Sequence, residues 1–394
     1  MRNEYDVIIV GAGPGGSATA KKCAELGLSV AVFEKRPSIG SEKRCGEGLS
    51  SLAADRLGLN IPKQAIAQTI DGAIIYAPNG KQAVIDFGKT AGYILERKYF
   101  DKWLAMEASR AGAYFQAKTP VTGLIREDGF IKGVRAEFQA EPFEARAKIV
   151  VAADGVESRV SRWAGLNTTN KLVNIDSGYQ FEMSNIEISD PHKIHLFFGN
   201  KIAPRGYVWL FPKGKDVANV GVGVALCEKP ARYYLEEFVK KEPTLSRGSI
   251  IEVNAGGIPV GGLLDNMVLN GFLAVGDAAH QVNPIHGGGM KESTIAGRIA
   301  GEVIAQAIQK GDVSRSALSL YNKRWWETRG NELKRVQKLR EVVEKLSDDD
   351  FNKLADSGIT GEDLMEMSRG KRFSVLAKVL MKNPRLVALA RHLL

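Results

Sequence analysis

Residues 5–34, YDVIIVGAGPGGSATAKKCAELGLSVAVFE, decide the fold of the first part of this chain. The apolar run Val7 to Val10 predicts a buried strand, and Gly11-x-Gly13-x-x-Gly16 predicts a tight turn from this strand into a helix. The helix, expected over Ala18 to Leu26, returns the chain to a second apolar strand, Val30 to Phe33. Strand, helix and strand in this order predict a βαβ unit with a parallel sheet.

Each glycine of this unit has a mechanical reason. Gly11 permits the tight turn, Gly13 lets the backbone approach a pyrophosphate, and Gly16 allows the helix to pack closely on the strand. The pyrophosphate would lie at the helix N-terminus, where free N–H groups favour an anion. Glu34 ends the second strand, where a carboxylate binds a ribose 2′-OH and repels a 2′-phosphate. The unit therefore predicts FAD or NAD rather than NADP; the alternative is an ordinary glycine-rich turn.

Length, charge and cysteines exclude several classes of protein. With 394 residues the chain is long enough for two or three domains. Its apolar stretches are far shorter than the roughly 20 residues that span a bilayer, and no signal-peptide pattern is present, so we expect a cytoplasmic protein. Cys23, Cys45 and Cys227 are widely spaced and predict neither a disulfide framework nor a metal site. The net charge of +9 suits a negative partner, but no nucleic-acid motif accompanies it.

Two later segments also combine an apolar strand with a glycine turn. Residues 148–159, KIVVAADGVESR, place a strand before Asp154-Gly155, and residues 271–289, GFLAVGDAAHQVNPIHGGG, place one before Gly276-Asp277. With the βαβ unit, these segments in this order resemble the para-hydroxybenzoate hydroxylase-like flavoprotein superfamily over roughly residues 1 to 310. NAD dehydrogenases lack the third segment, so the resemblance implies FAD.

The superfamily resemblance also assigns residues of the last two segments. It implies that Asp154 lies near both the flavin and the reductant, and that Asp277 contacts the ribityl chain. Gly288, Gly289 and Met290 would lie under the isoalloxazine at the start of the next helix. A helix N-terminus at that point stabilises the anionic reduced flavin.

The expected fold class is α/β (α+β overall): a Rossmann-like FAD-binding domain with a central parallel sheet, an interleaved antiparallel-sheet substrate domain and a helical C-terminal region. Alternating apolar and polar residues over 73–87 and 172–226 predict the antiparallel strands. The expected bounds are 1–58, 93–168 and 258–311 for the FAD-binding domain, 59–92 and 169–257 for the substrate domain, and 312–394 for the C-terminal helices.

Two further segments narrow the resemblance. Residues 44–48, RCGEG, and 204–212, PRGYVWLFP, are similar to signatures of the archaeal geranylgeranyl reductases, a family that includes digeranylgeranylglycerophospholipid reductases. This resemblance covers nearly the whole chain. It implies an FAD-dependent oxidoreductase of membrane-lipid biosynthesis, which hydrogenates isoprenoid C=C bonds of geranylgeranyl chains by hydride from reduced flavin N5 plus a proton.

The family assigns roles to individual positions. The expected FAD contacts beyond those above are Gly15, Glu34, Arg44, Cys45, Gly46, Gly48, Arg97 and Val121. Cys45, Tyr207 and Trp209 are the candidate catalytic residues, and Tyr207, Trp209 and Phe211 the candidate substrate-binding residues, because alternate strand positions face one side. The residues alone leave alternatives open: a buried structural cysteine, an exposed arginine at a helix start, and an aromatic stripe that belongs to the core.

An isolated alkene needs a polarising group. We expect a proton to reach one carbon as hydride reaches the other, with Tyr207 or Trp209 stabilising the positive charge and Cys45, Glu47 or a water as the proton source. The sequence has no second βαβ unit that would bind NAD(P)H. We therefore expect the electrons to come either from NAD(P)H bound transiently near Asp154 or from reduced ferredoxin. Residues 373–394 suit either an interfacial helix pair on an anionic membrane or an internally packed helix.

The sequence is compatible with three other functions. An FAD monooxygenase shares the superfamily scaffold. A halogenase is weaker, because residues 207–212, YVWLFP, depart from the WxWxIP pattern at the first aromatic residue and at the isoleucine. A non-catalytic flavin-binding membrane partner is the third alternative.

Overall fold

The computed structural model describes residues 3–43, 45–357, 359–368, 371, 373–382, 386–387 and 391. Its strands are β1 Glu4–Val10, β2 Val30–Phe33, β3 Gly48–Ser50, β4 Ile66–Ile70, β5 Gly72–Tyr76, β6 Gln82–Asp86, β7 Gly92–Leu95, β8 Tyr114–Gln116, β9 Val121–Glu127, β10 Phe130–Phe138, β11 Glu141–Ala152, β12 Ile175–Ser184, β13 Lys193–Phe198, β14 Tyr207–Pro212, β15 Val217–Val224, β16 Ser249–Pro259, β17 Val268–Leu269 and β18 Phe272–Ala274. Its α-helices are α1 Pro14–Glu25, α2 Ser51–Arg56, α3 Arg97–Arg110, α4 Arg159–Ala164, α5 Ala231–Lys241, α6 Met290–Gln309, α7 Arg315–Trp325, α8 Asn331–Val343, α9 Asp348–Ala355, α10 Gly361–Ser368 and α11 Phe373–Leu380.

The first sheet carries the three glycine segments. Its order is β17-β18-β11-β1-β2-β8, with β10 and β9 attached to β11, and β1 pairs in parallel with both β2 and β11. The predicted strand at Val7 to Val10 and the strand Val30 to Phe33 are present, and both are buried. Parallel strands bring their carboxyl ends to one edge, so the turns after β1, β11 and β18 emerge side by side: Ala153 N donates to Val10 O (2.8 Å) and Val275 N to Ala152 O (2.9 Å).

Two helices differ from their expected bounds in the same direction. The first helix starts at Pro14 rather than Ala18, since proline is well tolerated in the first helical turn. The helix expected over 293–309 starts at Met290. The first helix therefore begins within its glycine motif and the second directly after Gly289, and they pack against each other where an added Cβ on Gly297 would lie 2.6 Å from Gly15 O.

The second sheet has the order β16-β12-β15-β14-β13-β5-β6 and carries the aromatic strand β14. Its pairings are antiparallel except that β5 runs parallel to β13. A small third sheet, β3-β7-β4, joins residues just after the RCGEG segment to the strand before α3. Alternation in the sequence did not predict this third sheet, because its strands are short and come from distant segments.

The C-terminal helices pack on the rest of the protein in two places. Leu318, Tyr321 and Trp325 of α7 enter the core of the first sheet. Helices α8 to α11 form a separate apolar core in which Leu376 of α11 packs with Leu339 of α8. In the described part of the chain no helix is long and apolar enough to cross a membrane.

Candidate functional site

The first glycine motif forms a backbone cradle at the N-terminus of α1. Gly11 adopts φ +105°, and an added Cβ on Gly16 would lie only 2.0 Å from Gly11 O, so this helix can approach the strand only without a side chain there. An added Cβ on Gly13 would meet no described atom within 4 Å. The open space lies where the sequence predicts a pyrophosphate.

Glu34 and Val121 lie on the side of the cradle assigned to the adenosine. Glu34 Oε2 accepts from Ala12 N (3.0 Å) and Oε1 accepts from Arg36 N (2.9 Å), which fixes the carboxylate beside the turn. Thr119 N donates to Glu34 O (2.8 Å), and β9 begins two residues later at Val121. The structure therefore holds the segment that leads into Val121 against the backbone of Glu34.

Two carboxylates follow the other glycine turns. Asp154 Oδ2 accepts from Val160 N (2.9 Å), whereas its Oδ1 is buried without a partner in the described chain. An added Cβ on Gly289 would lie 2.8 Å from Asp277 Oδ1, so Asp277 lies against the start of α6. Burial raises the pKa of both carboxyl groups. An orphaned buried oxygen beside an open glycine cradle fits a polar dinucleotide such as FAD.

The RCGEG segment packs on the aromatic strand. Arg44 lies outside the described residues. An added Cβ on Gly46 would lie 2.8 Å from the Phe211 ring and one on Gly48 3.5 Å from it, so these glycines contact a protein ring. Cys45 is half-buried, and its Sγ accepts from Glu47 N (3.2 Å). Burial raises the pKa of the Cys45 thiol, opposed in part by the charge of Arg97, and keeps the thiol protonated at neutral pH.

The three predicted aromatic residues lie in a row, as strand alternation requires. Ring centroids are 6.0 Å apart between Tyr207 and Trp209 and 6.4 Å apart between Trp209 and Phe211. Trp209 Nε1 donates to Gln180 Oε1 (2.9 Å), and Gln180 Nε2 donates to Cys45 O (3.2 Å). At the other end of the row, the Tyr207 hydroxyl donates to His286 O (3.2 Å). The row therefore connects the Cys45 loop with the loop before Gly288.

Sequence reasoning missed a group of mostly buried polar side chains behind the Cys45 loop, four of them charged, here called the loop cluster: Lys43, Glu47, Glu182, Lys213 and Asn219. Glu47 is 0% exposed and lies 3.3 Å from Lys43 Nζ, 3.2 Å from Lys213 Nζ and 2.7 Å from Asn219 Nδ2. Glu182 pairs with both lysines. Burial alone would lower the pKa of Lys213, but Glu47 and the neighbouring carboxylates raise it, so the lysine stays charged.

Arg97 joins the loop cluster through its backbone. Its N–H donates to Glu47 Oε1 (2.8 Å), while its guanidinium makes two hydrogen bonds to Asp101 (2.8 and 2.7 Å). The side chain is largely buried, which removes the alternative of an exposed arginine at a helix start. The only hints in the sequence were the spacing of Lys43 and Glu47 and a lysine directly after Pro212, and neither is specific.

A cavity of about 1220 Å³ begins where the Cys45 loop meets the aromatic row, and it runs to the C-terminal helices. Its first part is lined by Cys45, Tyr207, Trp209 and residues 287–290. Further along, its walls are apolar side chains of the second sheet and of the C-terminal core: Ile75, Ile85, Ile194, Leu196, Phe198, Phe351, Leu354, Leu364 and Leu376. The aromatic row is therefore a wall of a cavity as well as part of a sheet.

Comparison with known sequences gives matches along the chain. Residues 174–258 match a family model described as the geranylgeranyl reductase catalytic domain, and residues 9–47 match an NAD(P)-binding Rossmann-like domain. A digeranylgeranylglycerophospholipid reductase of Methanocella arvoryzae is 43% identical over 393 residues, 98% of each chain. A protein of the same name from Methanocaldococcus jannaschii is 39% identical over 397 residues, 100% of this chain and 99% of that one.

Solved structures extend the comparison to the fold. A geranylgeranyl bacteriochlorophyll reductase-like protein from Thermoplasma acidophilum has a TM-score of 0.92 at 35% identity and covers 100% of both chains. The chondrochloren halogenase, an FAD-dependent halogenase, has a TM-score of 0.71 at 18% identity over 94% of this chain and 91% of that one. At that identity the second likeness concerns the fold alone.

Proposed function

The chain belongs to the geranylgeranyl reductase family, and from this premise we propose that it is an FAD-dependent reductase that saturates C=C bonds of geranylgeranyl chains in membrane-lipid precursors. The single observation that carries the proposal is the apolar cavity, which runs from Cys45, the aromatic row and residues 287–290 to the C-terminal core. A long hydrocarbon chain gains free energy from burial along such walls. The monooxygenase, the halogenase and the non-catalytic partner are less favoured.

FAD fits the three glycine segments. We assign the cofactor to residues 1–58, 93–168 and 258–311, the lipid to 59–92 and 169–257, and the closing wall of the cavity to 312–394. Gly13 and the start of α1 would hold the pyrophosphate, Glu34 the ribose, and Asp277 the ribityl chain. When bound, FAD supplies the hydride equivalent; the protein supplies position, charge and the proton.

The aromatic row stabilises positive charge on the substrate. Trp209 is only 7% exposed and its ring is held by Gln180, so it cannot turn away from the cavity. Aromatic faces attract a cation that develops on the more substituted carbon of the alkene. Because the side chain of Gln180 also reaches Cys45 O, the position of the ring and the position of the loop are linked.

Cys45 is the better proton source of the two named side chains. Glu47 carries interactions with two lysines, Asn219 and Arg97 N on its carboxylate, so a proton there would break several of them. Cys45 lines the cavity, and burial raises the pKa of its thiol. The thiol is therefore protonated when the alkene arrives.

The reaction itself tests the function. Purified protein with FAD, kept anaerobic and reduced with dithionite, is mixed with a digeranylgeranylglycerol phospholipid, and the mass of the lipid is measured by mass spectrometry. We expect a gain of one pair of hydrogen atoms for each bond reduced. In a parallel aerobic assay, oxygen uptake linked to NAD(P)H with a product one oxygen heavier would instead support a monooxygenase. FAD binding without product in either assay would support the non-catalytic alternative.

The role of Cys45 has its own test. Cys45→Ser and Cys45→Ala are compared in single-turnover reoxidation of the reduced protein by lipid, with Cys23→Ala as the matched control because Cys23 is buried in the core of the first sheet. We expect a large loss of rate in Cys45→Ala and partial retention in Cys45→Ser. Unchanged rates in both would remove Cys45 from the chemistry.

The remaining partners are an electron donor and a membrane surface. We propose NAD(P)H near Asp154 or a reduced ferredoxin as donor, distinguished by anaerobic reduction of the bound FAD with each. We also propose peripheral contact with anionic lipid through the basic surface of the protein. Leu376, Ala377 and Leu380 of α11 pack internally, so this contact would depend on charge. Flotation with anionic but not neutral liposomes is the expected result.

A further inference from the structure

A buried ion pair lies in the first turn of α6. Glu292 is 2% exposed and follows Met290 by two residues. Arg329 binds it with two parallel hydrogen bonds, Nε to Oε2 at 2.7 Å and Nη2 to Oε1 at 2.8 Å. Lys291 Nζ lies 3.3 Å from the same carboxylate, and Glu332 accepts from Arg329 Nη1 at 2.5 Å. All four side chains belong to residues that line the large cavity.

Arg329 reaches this position from an irregular turn. Residues Trp326–Gly330 form a π-helical turn between α7 and α8, and such turns are rare and often occur at functional sites. An added Cβ on Gly330 would lie 2.6 Å from the Trp326 ring, so the packing of the turn requires glycine. The C-terminal helices thus carry a cation into the start of α6.

The position of Glu292 gives this pair an electrostatic consequence. The N-terminus of a helix attracts a negatively charged ligand, and a carboxylate within the first turn of that helix weakens the attraction. Under the proposed function, residues 288–290 lie beneath the flavin ring, which becomes negatively charged when FAD is reduced. An uncompensated Glu292 would repel that charge in a poorly screened site.

We propose that Arg329 raises the reduction potential of bound FAD by cancelling the charge of Glu292 at the start of α6. The inference rests on the proposed function, because it uses the position assigned to the flavin ring. Arg329 is a positioning residue by this account, since it acts through Glu292 and the helix rather than on the substrate.

The test is a double-mutant cycle in which the midpoint potential of bound FAD is measured. Arg329→Met, Glu292→Gln and the double variant are loaded with FAD, and their midpoint potentials are measured by dye equilibration. In Arg329→Met we expect reduced FAD to bind about tenfold more weakly relative to oxidised FAD, a shift of about 30 mV to more negative potential. Glu292→Gln should shift the potential in the opposite direction, and the double variant should return close to the wild type.

Controls separate charge from structure. Arg329→Lys keeps the cation and should stay near the wild-type potential. Arg146→Met removes an exposed arginine paired with Glu127 on the first sheet and should leave the potential unchanged. Shifts of the same sign in both single variants, or no shift in either, would overturn the proposal.

If Arg329→Met does not fold, two measurements still test the proposal. These are the sign of the potential shift in Glu292→Gln and the return of the double variant to the wild-type potential. The potential measurement can contradict the role of Arg329 without contradicting the proposed function. A wild type that binds FAD and reduces lipid while the potentials fail to move contradicts only the role of Arg329.

Discussion

The nucleotide-binding unit at residues 5–34 and the loop cluster around Glu47 hold the two ends of the same site by different means. In the first, backbone meets backbone: a Cβ on Gly16 would lie 2.0 Å from Gly11 O, and only glycine can stand there. In the second, charged side chains from three separate segments meet around a carboxylate that is 0% exposed. One end depends on the absence of side chains and the other on their presence.

The difference has an energetic side. The helix and strand of the glycine cradle are held together by close packing of backbone, and the glycines at that contact carry no charge that needs a partner. A buried ionic cluster is stable only when every member is present, since removing one partner leaves another charge unpaired in a medium of low dielectric. Substitutions in the cradle should therefore lower stability through steric overlap. Substitutions in the loop cluster should lower stability by leaving a buried charge without its partner.

The largest effect should come from Glu47→Gln. Lys43 and Lys213 are both 2% exposed at their side chains, and the substitution removes the more deeply buried of the two carboxylates they share. We expect a loss of about 3–5 kcal/mol in the free energy of unfolding. Urea unfolding of the FAD-free protein measures it.

The matched control for Glu47 is Glu144→Gln. That residue pairs with Arg135 at 3.0 Å, but both side chains are more than half exposed. Exposed pairs contribute little, so its unfolding curve should match the wild type. Equal losses in the two variants would mean that burial is not what makes the loop cluster important.

A smaller loss is expected for Gly16→Ala, which breaks the other region. The added methyl group would overlap Gly11 O, and relief requires the helix to move away from the strand. We expect about 3 kcal/mol of lost stability, at the upper end for an overpacked position, together with loss of FAD binding. Thermal unfolding with and without FAD gives both quantities.

Gly13→Ala sharpens the same comparison. An added Cβ at Gly13 meets nothing within 4 Å, and its φ of −70° suits alanine. The FAD-free protein should keep its stability while its affinity for FAD falls, because the methyl group would enter the space assigned to the pyrophosphate. Equal FAD affinity in this variant would show that the cradle does not hold the cofactor there.

These two regions also differ in how far the sequence predicted them. The strands at Val7 to Val10 and Val30 to Phe33, and the three aligned glycine turns, follow from local patterns, because periodicity and glycine spacing act within one segment. The family resemblance, and with it FAD and the reductase function, is confirmed by the comparisons. The assigned roles of individual site residues stay predictions.

The loop cluster and the pair Arg329–Glu292 could not be predicted in this way. Lys213 follows a strand and Glu292 opens a helix, and a single charged residue at either place normally points to solvent. Only the tertiary fold brings Lys213 to within 3.2 Å of Glu47, across residues far apart in sequence. Burial of charge is a property of the assembled sheets, so no local pattern signals it.

An intermediate effect is expected for Trp209→Phe, at the aromatic row beside the Cys45 loop. The phenyl ring keeps the aromatic wall but removes the donor to Gln180, which is 3% exposed. An unsatisfied buried amide oxygen costs about 1–3 kcal/mol. Turnover should fall as well, since Gln180 also holds Cys45 O; Phe211→Leu, which breaks no hydrogen bond, is the control for ring loss alone.

The smallest effect concerns pH and the cradle side of the site. Burial raises the pKa of Asp277 above its usual 3.8, so the folded, FAD-free protein favours the protonated form more than the unfolded chain does. This stabilisation is complete below 3.8 and is lost as the pH rises through the raised pKa. The FAD-free Asp277→Asn variant should therefore melt at a higher temperature than the wild type at pH 7, and the gap should narrow as the pH falls towards 4.

The same substitution should weaken FAD binding if Asp277 contacts the ribityl chain. Stability and affinity would then move in opposite directions in one variant, whereas Glu47→Gln is expected to lower stability. A melting gap that is absent at pH 7 would mean that the pKa of Asp277 is not raised in the folded protein. A gap that stays constant down to pH 4 would mean that it does not come from the titration of Asp277. If the pKa is not raised, the carboxylate of Asp277 already has a compensating partner. The cradle side of the site would then resemble the loop cluster in depending on paired charges.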